Sequence, residues 1–304
     1  MTPREARVRA QAKLNLYLRV SEPDGTGYHP LETLFCRIQL ADVVTVAIHP
    51  HKTLDVFGPR VPAGGLGHVE QNLAWRAAEA YAGAAGFPDG FSIQIEKHIP
   101  VGGGLGGGSA DAGAVLRALD ALNPDPLGPE RLVQVAVSLG ADVPFLTQDT
   151  SPLAFGRGYG ERLEILAPLP SRPAWLLIPD VSVSTPSAYR WLDERARATL
   201  RQGPPADLAA SWESVARNAT NDFESAVAEK VPLIGRLLAG FRSPAFADVL
   251  GDDAVVLMSG SGSTVAIIAG HVAKNHWAAL PPVAGVDIVE TETAAFVEPV
   301  VRTH

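Results

Sequence analysis

The most informative stretch of the chain is Pro100-Val-Gly-Gly-Gly-Leu-Gly-Gly-Gly-Ser-Ala-Asp111, in which six of the seven positions from Gly102 to Gly108 are glycine. Glycine has no Cβ, so its backbone N–H groups can turn inward and approach a ligand closely. The stretch follows a strand-like run, Phe91–Ile95, and precedes apolar residues at helical spacing in Ser109–Leu122. Because the N-terminus of a helix attracts anions, this order predicts a phosphate-binding loop rather than a linker.

The familiar nucleotide-binding signatures do not fit this loop. No Gly-Lys-Ser/Thr closes it, so it is not a Walker A loop. Gly102, Gly104 and Gly107 satisfy G-x-G-x-x-G, but a dinucleotide site also needs a strand that ends in an acidic residue about 20 residues further on. A second predicted helix, Pro129–Leu139, follows instead. The H-R-D and D-F-G segments of protein kinases are missing as well.

Bulk composition limits the remaining classes. The 304 residues suggest two domains or one large one, and the net charge of -8 argues against a general nucleic-acid binder, which needs a basic face. Cys36 is the single cysteine, so neither an intrachain disulfide nor a cysteine metal cluster is possible. The first residues lack the apolar stretch of a secretory signal, and no run of about 18 apolar residues predicts a membrane span. We therefore expect a cytoplasmic protein.

The stretch Ala6–Val20 alternates between apolar and polar residues, which predicts a strand with one buried face. Lys13 and Asn15 then project together from its polar face. Similar patterns predict strands at Asp42–Ile48, Phe91–Ile95, Ala174–Ile178, Ala254–Met258 and Thr264–Ala269, and helices at Gln71–Ala85, Ser109–Leu122, Pro129–Leu139, Pro186–Leu200 and Val215–Ala228. Because strands and helices are mixed rather than strictly alternating, the pattern indicates an α+β fold.

The glycine loop resembles the second motif of the GHMP kinases, P-x-G-x-G-L-G-x-S-S/A, in the extended form typical of the diphosphocytidyl-methylerythritol kinases. Other blocks of that family are similar to segments of this chain in the same order. They are Ala12–Leu16, Asp24–Phe35, Asn72–Ala77, Gly140–Phe145, Gly156–Glu161, Thr185-Pro186, Asn221–Glu224 and Met258–Ser263. Two departures are an insertion, Thr26-Gly27, and Asp111 where many members have asparagine.

The resemblance implies a two-domain GHMP kinase fold. The first domain, residues 1–155, would be ribosomal-protein-S5-like and bind the nucleotide, and the second, 156–304, would be ferredoxin-like and lie on the substrate side. The proline-rich segment Ala167–Pro173 is itself a candidate boundary.

The activity that the resemblance implies is transfer of a phosphoryl group from ATP, with Mg²⁺, to the 2-hydroxyl of 4-diphosphocytidyl-2-C-methyl-D-erythritol, on the methylerythritol phosphate route to isoprenoid precursors. The partners expected are this small molecule and ATP, with no nucleic acid and no membrane, for a monomer or weak homodimer.

The same resemblance assigns roles in catalysis. Asp142 would be the base that takes the proton of the acceptor hydroxyl, and Lys13 would keep it ionised and approach the developing negative charge. Asn15 would contact the substrate. By themselves, Asp142 could be an ordinary turn aspartate and Lys13 a solvated lysine. We prefer for Asp111 the simple role of complementing the dipole of the helix.

The ATP site implied by the resemblance is the glycine loop together with Asn72 and Lys97. Lys97 could equally be a solvated lysine at a strand end, and Gly260 and Gly262 could be plain turn glycines. Ser109 could cap the helix or present its hydroxyl to Mg²⁺. The residues assigned to the loop are Pro100, Val101, Gly102, Gly103, Gly104, Leu105, Gly106, Gly107, Gly108, Ser109 and Ala110. A Cβ at Gly104 or Gly107 is expected to enter the phosphate site.

The substrate residues implied by the resemblance are Tyr28, His29, Thr185 and Tyr189, of which the aromatic ones would hold a cytosine. Each could also be a packing or turn residue. Two other functions remain open at this point: a different GHMP kinase, acting on homoserine, mevalonate or a sugar, and a GHMP-fold sensor without turnover. Presence of both Lys13 and Asp142 disfavours the sensor, since binding alone does not require the pair.

Overall fold

The computed structural model of the protein describes residues 5–195, 203–271 and 282–303. Its strands are β1 (Glu5–Val20), β2 (Leu31–Ile48), β3 (Thr53–Phe57), β4 (Phe91–Glu96), β5 (Leu153–Arg157), β6 (Arg162–Ile165), β7 (Pro173–Pro179), β8 (Thr220–Asn221), β9 (Val255–Met258), β10 (Val265–Ile268), β11 (Val286–Glu292) and β12 (Val300–Thr303). Its helices are α1 (Leu73–Ala85), α2 (Gly107–Leu122), α3 (Pro129–Val137), α4 (Val143–Thr147), α5 (Thr185–Asp193), α6 (Trp212–Asn218), α7 (Glu224–Lys230), α8 (Pro232–Phe241) and α9 (Pro244–Leu250).

The α+β expectation is confirmed, and most predicted elements lie within a few residues of their expected bounds. The single helix expected at Val215–Ala228 is wrong: α6 and α7 occupy that stretch with β8 between them. Part of the helix expected at Pro186–Leu200 falls outside the described residues, and α5 ends at Asp193. Helix α2 begins at Gly107, two residues before the expected start at Ser109.

The larger sheet has eight strands and builds the wall on which the site lies. Its central path is β12-β1-β2-β4-β3, with β5 and β8 pairing to β2 and β1. The long strands β1 and β2 are antiparallel, and their register shifts on both sides of the Lys13–Asn15 stretch. Such irregularities bend a strand and re-aim its side chains, and they are common beside functional sites.

The smaller sheet, in the order β11-β7-β10-β9, separates two hydrophobic cores. Alternate side chains of β7 serve both: Leu176 packs into the first core with β1 and α2, whereas Trp175 and Leu177 pack into the second with α7 and α8. A strand buried on both faces reads as continuously apolar, which is how this segment appears in the sequence.

The expected division of the chain at residues 155 and 156 falls inside β5, and the C-terminal strand β12 pairs with β1. The domain boundary therefore stays a prediction. Among the described residues, no helix is both long and apolar enough to cross a bilayer.

Candidate active site

A cleft of about 1330 Å³ is lined by the glycine loop, the middle of β1 and the start of α5. Pockets for a single small ligand usually measure roughly 300–1,000 Å³, so this cleft is large enough for two substrates. Ala110 is buried in α2 and does not line it. The other candidate residues all lie on its wall: Lys13, Asn15, Tyr28, His29, Asn72, Lys97, Pro100, Val101, Gly102, Gly103, Gly104, Leu105, Gly106, Gly107, Gly108, Ser109, Asp142, Thr185 and Tyr189.

The glycine loop leads directly into α2, with Gly106 as the N-cap. Gly102, Gly104 and Gly106 have φ values of 79°, 77° and 71°, a left-handed conformation that other residues rarely adopt. The first N–H groups of an α-helix have no acceptor within it and carry partial positive charge. Because Gly107 and Gly108 open the helix and line the cleft, this end of α2 is suited to a phosphate.

The loop also packs against a second glycine turn, Ser259–Gly262, which joins β9 and β10. The Ser259 hydroxyl donates to the Gly104 carbonyl at 2.9 Å, and the Thr264 N–H donates to the Gly103 carbonyl at 3.3 Å. A Cβ on Gly104 would lie 2.2 Å from the Ser259 carbonyl oxygen. Glycine is therefore required at position 104 by protein packing, which corrects the expectation that a Cβ there would chiefly obstruct a phosphate.

An Asn-Asp-Phe-Glu segment that begins at Asn221 holds the second turn in place. The buried Asn221 amide donates to the carbonyls of Met258 and Gly260, at 2.6 and 2.7 Å. The Asp222 carboxylate accepts the N–H of Val20, at the end of β1, at 2.9 Å. The segment thus links the glycine turn of the smaller sheet to the strand that carries Lys13.

Lys13 and Asp142 form an ion pair on the cleft wall. The Lys13 ammonium lies 3.3 Å from the Asp142 carboxylate and donates to the Asn15 side-chain oxygen at 2.6 Å. The Asn15 amide in turn donates to the Thr33 hydroxyl at 2.8 Å. The Lys13 side chain is 4% exposed and that of Asp142 is 29% exposed. A ligand in the cleft can therefore reach the Asp142 carboxylate, whereas the Lys13 side chain is buried. Lys13 is therefore not a solvated lysine, and Asp142 is not an isolated turn aspartate.

The short helix α4 is fixed at both of its ends by neighbouring positions of β1 and β2. Asp142 is its N-cap, but the carboxylate makes no capping hydrogen bond, which leaves it free to face Lys13. Arg37, the cross-strand partner of Lys13, donates to the carbonyls of Phe145 and Gln148, both at 2.8 Å. Arg37 is fully buried and was not anticipated, although a lone arginine inside an apolar strand was a visible signal.

A buried charge cluster lies behind the glycine loop. The Lys97 ammonium forms ion pairs with the carboxylates of Asp42 and Asp111, the latter at 2.6 Å, and all three residues are at most 4% exposed. Burial raises the pKa of Asp111 well above its ordinary value despite Lys97. Burial alone would lower the pKa of Lys97, but the two carboxylates raise it. Asp111 thus does more than complement a dipole, and the solvated reading of Lys97 is wrong.

Asn72 and Ser109 hold the starts of two helices that border the cleft. The Asn72 side chain caps α1 by accepting the Ala74 N–H at 2.9 Å, and the helix begins at Leu73, two residues after its predicted start at Gln71. The expectation that Ser109 caps α2 is wrong, because the helix begins at Gly107 and Ser109 is its third residue. Ser109 therefore does not act as the N-cap, and it lines the cleft.

The aromatic candidates gather at one end of the cleft, in two pairs. The rings of His29 and Tyr189 are 4.9 Å apart at 31°, and Tyr189 also packs edge-on against Phe223 at 4.9 Å. Tyr28 is 69% exposed and its ring lies 5.8 Å from that of Tyr159.

Tyr159 also lines the cleft. The sequence analysis includes it only within the Gly156–Glu161 block and gives it no role of its own. Thr185, at the start of α5, lies 3.0 Å from the Ser261 hydroxyl and so faces the second glycine turn.

Comparison with known proteins identifies the family of the chain. Residues 72–151 match the GHMP kinases N terminal domain. Proteins named 4-diphosphocytidyl-2-C-methyl-D-erythritol kinase are 38% identical in Salinispora tropica and 39% identical in Rhodococcus jostii, each covering 88% of this chain and 84% and 85% of the relative.

Solved structures extend the similarity to the fold. A crystal structure of 4-(cytidine 5'-diphospho)-2C-methyl-D-erythritol kinase superimposes with a TM-score of 0.71 at 35% identity, over 94% of this chain and 98% of that one. Homoserine kinase from Cytophaga hutchinsonii, at 17% identity and a TM-score of 0.61 over 100% of this chain and 98% of that one, shares the fold alone. The chain therefore belongs to the 4-diphosphocytidyl-2-C-methyl-D-erythritol kinase family and has the GHMP kinase fold.

Proposed function

We propose that this chain transfers the γ-phosphoryl group of ATP to the 2-hydroxyl of 4-diphosphocytidyl-2-C-methyl-D-erythritol, giving the 2-phosphate and ADP. The observation that carries the proposal is the closeness of the Lys13–Asp142 pair to the glycine loop. The Lys13 N–H donates to the Leu105 carbonyl at 3.0 Å, and a Cβ on Gly106 would lie 3.0 Å from Lys13 Cγ. A phosphate on the loop would thus sit beside the acid–base pair.

The residues divide the chemistry between them. Asp142 accepts the proton of the acceptor hydroxyl and orients that hydroxyl toward the phosphorus. Lys13 pairs with Asp142 and stabilises the charge that develops on the transferred group, and Asn15 holds it in place for this role. Asn15 itself lines the cleft, where it would contact the substrate. The protein itself contributes little covalent chemistry, because phosphoryl transfer depends chiefly on positioning and charge stabilisation.

ATP would be held by the N–H groups of the glycine loop and of the first turn of α2, with Asn72 and Lys97 on the adjoining wall. Among the described residues, no three acidic, histidine or cysteine side chains cluster to hold a metal by themselves. Mg²⁺ commonly binds through substrate phosphates, few protein ligands and retained waters, so the Ser109 hydroxyl at the cleft fits such a site. When bound, Mg²⁺ would neutralise charge on the phosphates.

The aromatic end of the cleft supports a nucleotide-bearing acceptor. Cytosine is flat and apolar on its faces, and Tyr28, His29 and Tyr189 offer rings for stacking, with Thr185 beside them. Base–aromatic stacking contributes about 1–3 kcal/mol per base in nucleic-acid binders. A GHMP kinase for homoserine or mevalonate has no need of such a site. We further propose that the protein acts in the cytoplasm as a monomer or weak homodimer.

The test is to incubate the purified chain with ATP, Mg²⁺ and one acceptor at a time, and to measure ADP release. The acceptors are 4-diphosphocytidyl-2-C-methyl-D-erythritol, the bare methylerythritol, homoserine and mevalonate. We expect turnover with the cytidylylated acceptor, and a KM for it that rises in Tyr28→Ala and Tyr189→Ala. Equal turnover of bare methylerythritol, or full affinity for the cytidine form in both variants, would reject the assignment.

A further inference from the structure

The loop that carries Tyr28 is folded on itself between β1 and β2. The Ser21 N–H donates to the Pro30 carbonyl at 2.7 Å and closes its base. Within it, the Gly27 N–H donates to the Asp24 carbonyl at 3.0 Å, and the Asp24 N–H donates to the Tyr28 carbonyl at 2.9 Å. Gly27 has a φ of 81°, so glycine suits this turn. The loop presents the exposed Tyr28 ring at the cleft.

Tyr159, from the turn between β5 and β6, holds this loop by two kinds of contact. Its hydroxyl donates to the Asp24 carboxylate at 2.6 Å and lies 3.2 Å from the Thr26 hydroxyl. Its ring lies against the Tyr28 ring at 63°. Hydrogen bonds from Thr26 and then Tyr159 hold the pKa of Asp24 below its ordinary value, so the carboxylate stays available as an acceptor.

The Tyr159 turn is itself tied to the larger sheet. The Leu31 N–H, at the start of β2, donates to the Gly158 carbonyl at 2.6 Å, and the Tyr159 N–H donates to the Glu161 carboxylate at 2.6 Å. A Cβ on Gly160 would lie 3.2 Å from the Ala141 carbonyl, next to Asp142. The base from which Tyr159 reaches the loop is therefore fixed close to the catalytic pair.

We propose that Tyr159 is a positioning residue for the nucleotide end of the acceptor, acting through Asp24 and Tyr28. Both tyrosines line the cleft, and the Tyr28 side chain is too exposed for burial to fix the orientation of its ring. The Asp24–Tyr159 hydrogen bond holds the loop, and the ring contact sets the orientation of Tyr28 toward the ligand. This inference rests on the proposed function for the identity of the ligand, a cytidine diphosphate group.

The experiment measures binding of cytidine 5'-diphosphate by calorimetry, together with KM for the cytidylylated acceptor and for ATP. The variants are Tyr159→Phe, which keeps the ring and loses the hydroxyl, Asp24→Ala, and the two combined. Asp125→Ala is the matched control, since it removes an exposed carboxylate beyond the C-terminal end of α2, at the opposite end of that helix from the glycine loop. Thermal unfolding checks that each variant remains folded.

One exposed hydrogen bond accounts for about a 3- to 10-fold effect. We expect each single variant to weaken cytidine diphosphate binding and raise the acceptor KM by that factor. The double variant should bind cytidine diphosphate no more weakly than the single variant with the lower affinity. The KM for ATP, the unfolding temperature and the Asp125→Ala control should stay within about two-fold or a few degrees of wild type.

The inference is overturned if Tyr159→Phe and Asp24→Ala bind cytidine diphosphate as wild type does, if their effects are additive, or if the KM for ATP rises equally. Absence of cytidine diphosphate binding to wild type also overturns it. Binding without turnover of the cytidylylated acceptor rejects the proposed function instead, and leaves the comparison of variants to decide the role of Tyr159.

Discussion

The Ser259 hydroxyl donates to the carbonyl of Gly104 across 2.9 Å, although 155 positions separate the two residues in the chain. This contact joins the glycine loop ahead of α2 to the glycine turn between β9 and β10. The conformation of the loop therefore depends on a segment near the C-terminal end of the chain as well as on its own glycines. Substitutions in either glycine segment should therefore change the affinity for ATP.

Replacing Gly104 by alanine should reduce both stability and ATP affinity. The new Cβ would lie 2.2 Å from the Ser259 carbonyl, and the φ of 77° disfavours alanine, so the free energy of unfolding should fall by about 1–3 kcal/mol. Gly108→Ala is the matched comparison, because its Cβ meets nothing closer than Leu73 at 3.7 Å and alanine favours a helix. It should keep its stability and lose ATP affinity only. Urea unfolding and ATP titration distinguish the two, and an unchanged stability of Gly104→Ala would contradict the packing argument.

Replacing Asn221 by aspartate should loosen the second turn. The carboxylate has the shape of the amide but would face the carbonyls of Met258 and Gly260 without a proton to donate. We expect the free energy of unfolding to fall by about 2–3 kcal/mol, with a lower kcat because Gly260 lies next to Lys13. Asn218→Asp, which loses one partly buried hydrogen bond to Ser214, should cost less. Equal losses in chemical denaturation would argue against a special role for Asn221.

The buried Asp111 should make stability depend on pH. Its pKa is raised in the folded state, so the folded chain binds more protons than the unfolded chain between the ordinary carboxyl pKa and the raised one. In that window this group makes stability fall as pH rises, and an asparagine at this position lacks the effect. Asp111→Asn should therefore gain stability relative to wild type as pH increases from about 4 to 7. Urea unfolding across this pH range measures the stability of Asp111→Asn relative to wild type. If that relative stability fell as the pH rose, the attraction of Lys97 would outweigh the effect of burial on the Asp111 carboxyl.

The sequence predicted motifs and elements well where the signal was local. The glycine loop lies between the predicted strand and the predicted helix, and the alternation of Ala6–Val20 did indicate a strand. Only one face of that strand was predicted to be buried, yet Gln11, Lys13 and Asn15 on the other face are all buried as well. Gln11 donates to the Phe296 carbonyl, Lys13 pairs with Asp142, and Gly260 lies beside Lys13 and Asn15. All of these partners come from more than 100 residues away in the chain. No pattern within the strand carries this information.

Errors in the second half of the chain have a similar origin. The apolar spacing over Val215–Ala228 favoured one helix, but the Asn221 side chain is committed to two distant carbonyls and the backbone there pairs with β1. Likewise, the ion pairs of Lys97 join positions 55 and 14 residues apart, which composition alone does not bring together. The catalytic assignment of Lys13 and Asp142 came from the family resemblance and stays a prediction; the structure shows that the two side chains form an ion pair.

The central claim is that Asp142, held beside Lys13, takes the proton of the acceptor hydroxyl. Asp142→Asn keeps the size of the side chain and removes the base, and loss of a general base typically slows turnover about 10²–10⁴-fold. The decisive measurement is the kcat of this variant with 4-diphosphocytidyl-2-C-methyl-D-erythritol, made together with a titration of ATP binding. The account predicts a fall of that size in kcat with ATP affinity within about two-fold of wild type; a variant that turns over near the wild-type rate would contradict it.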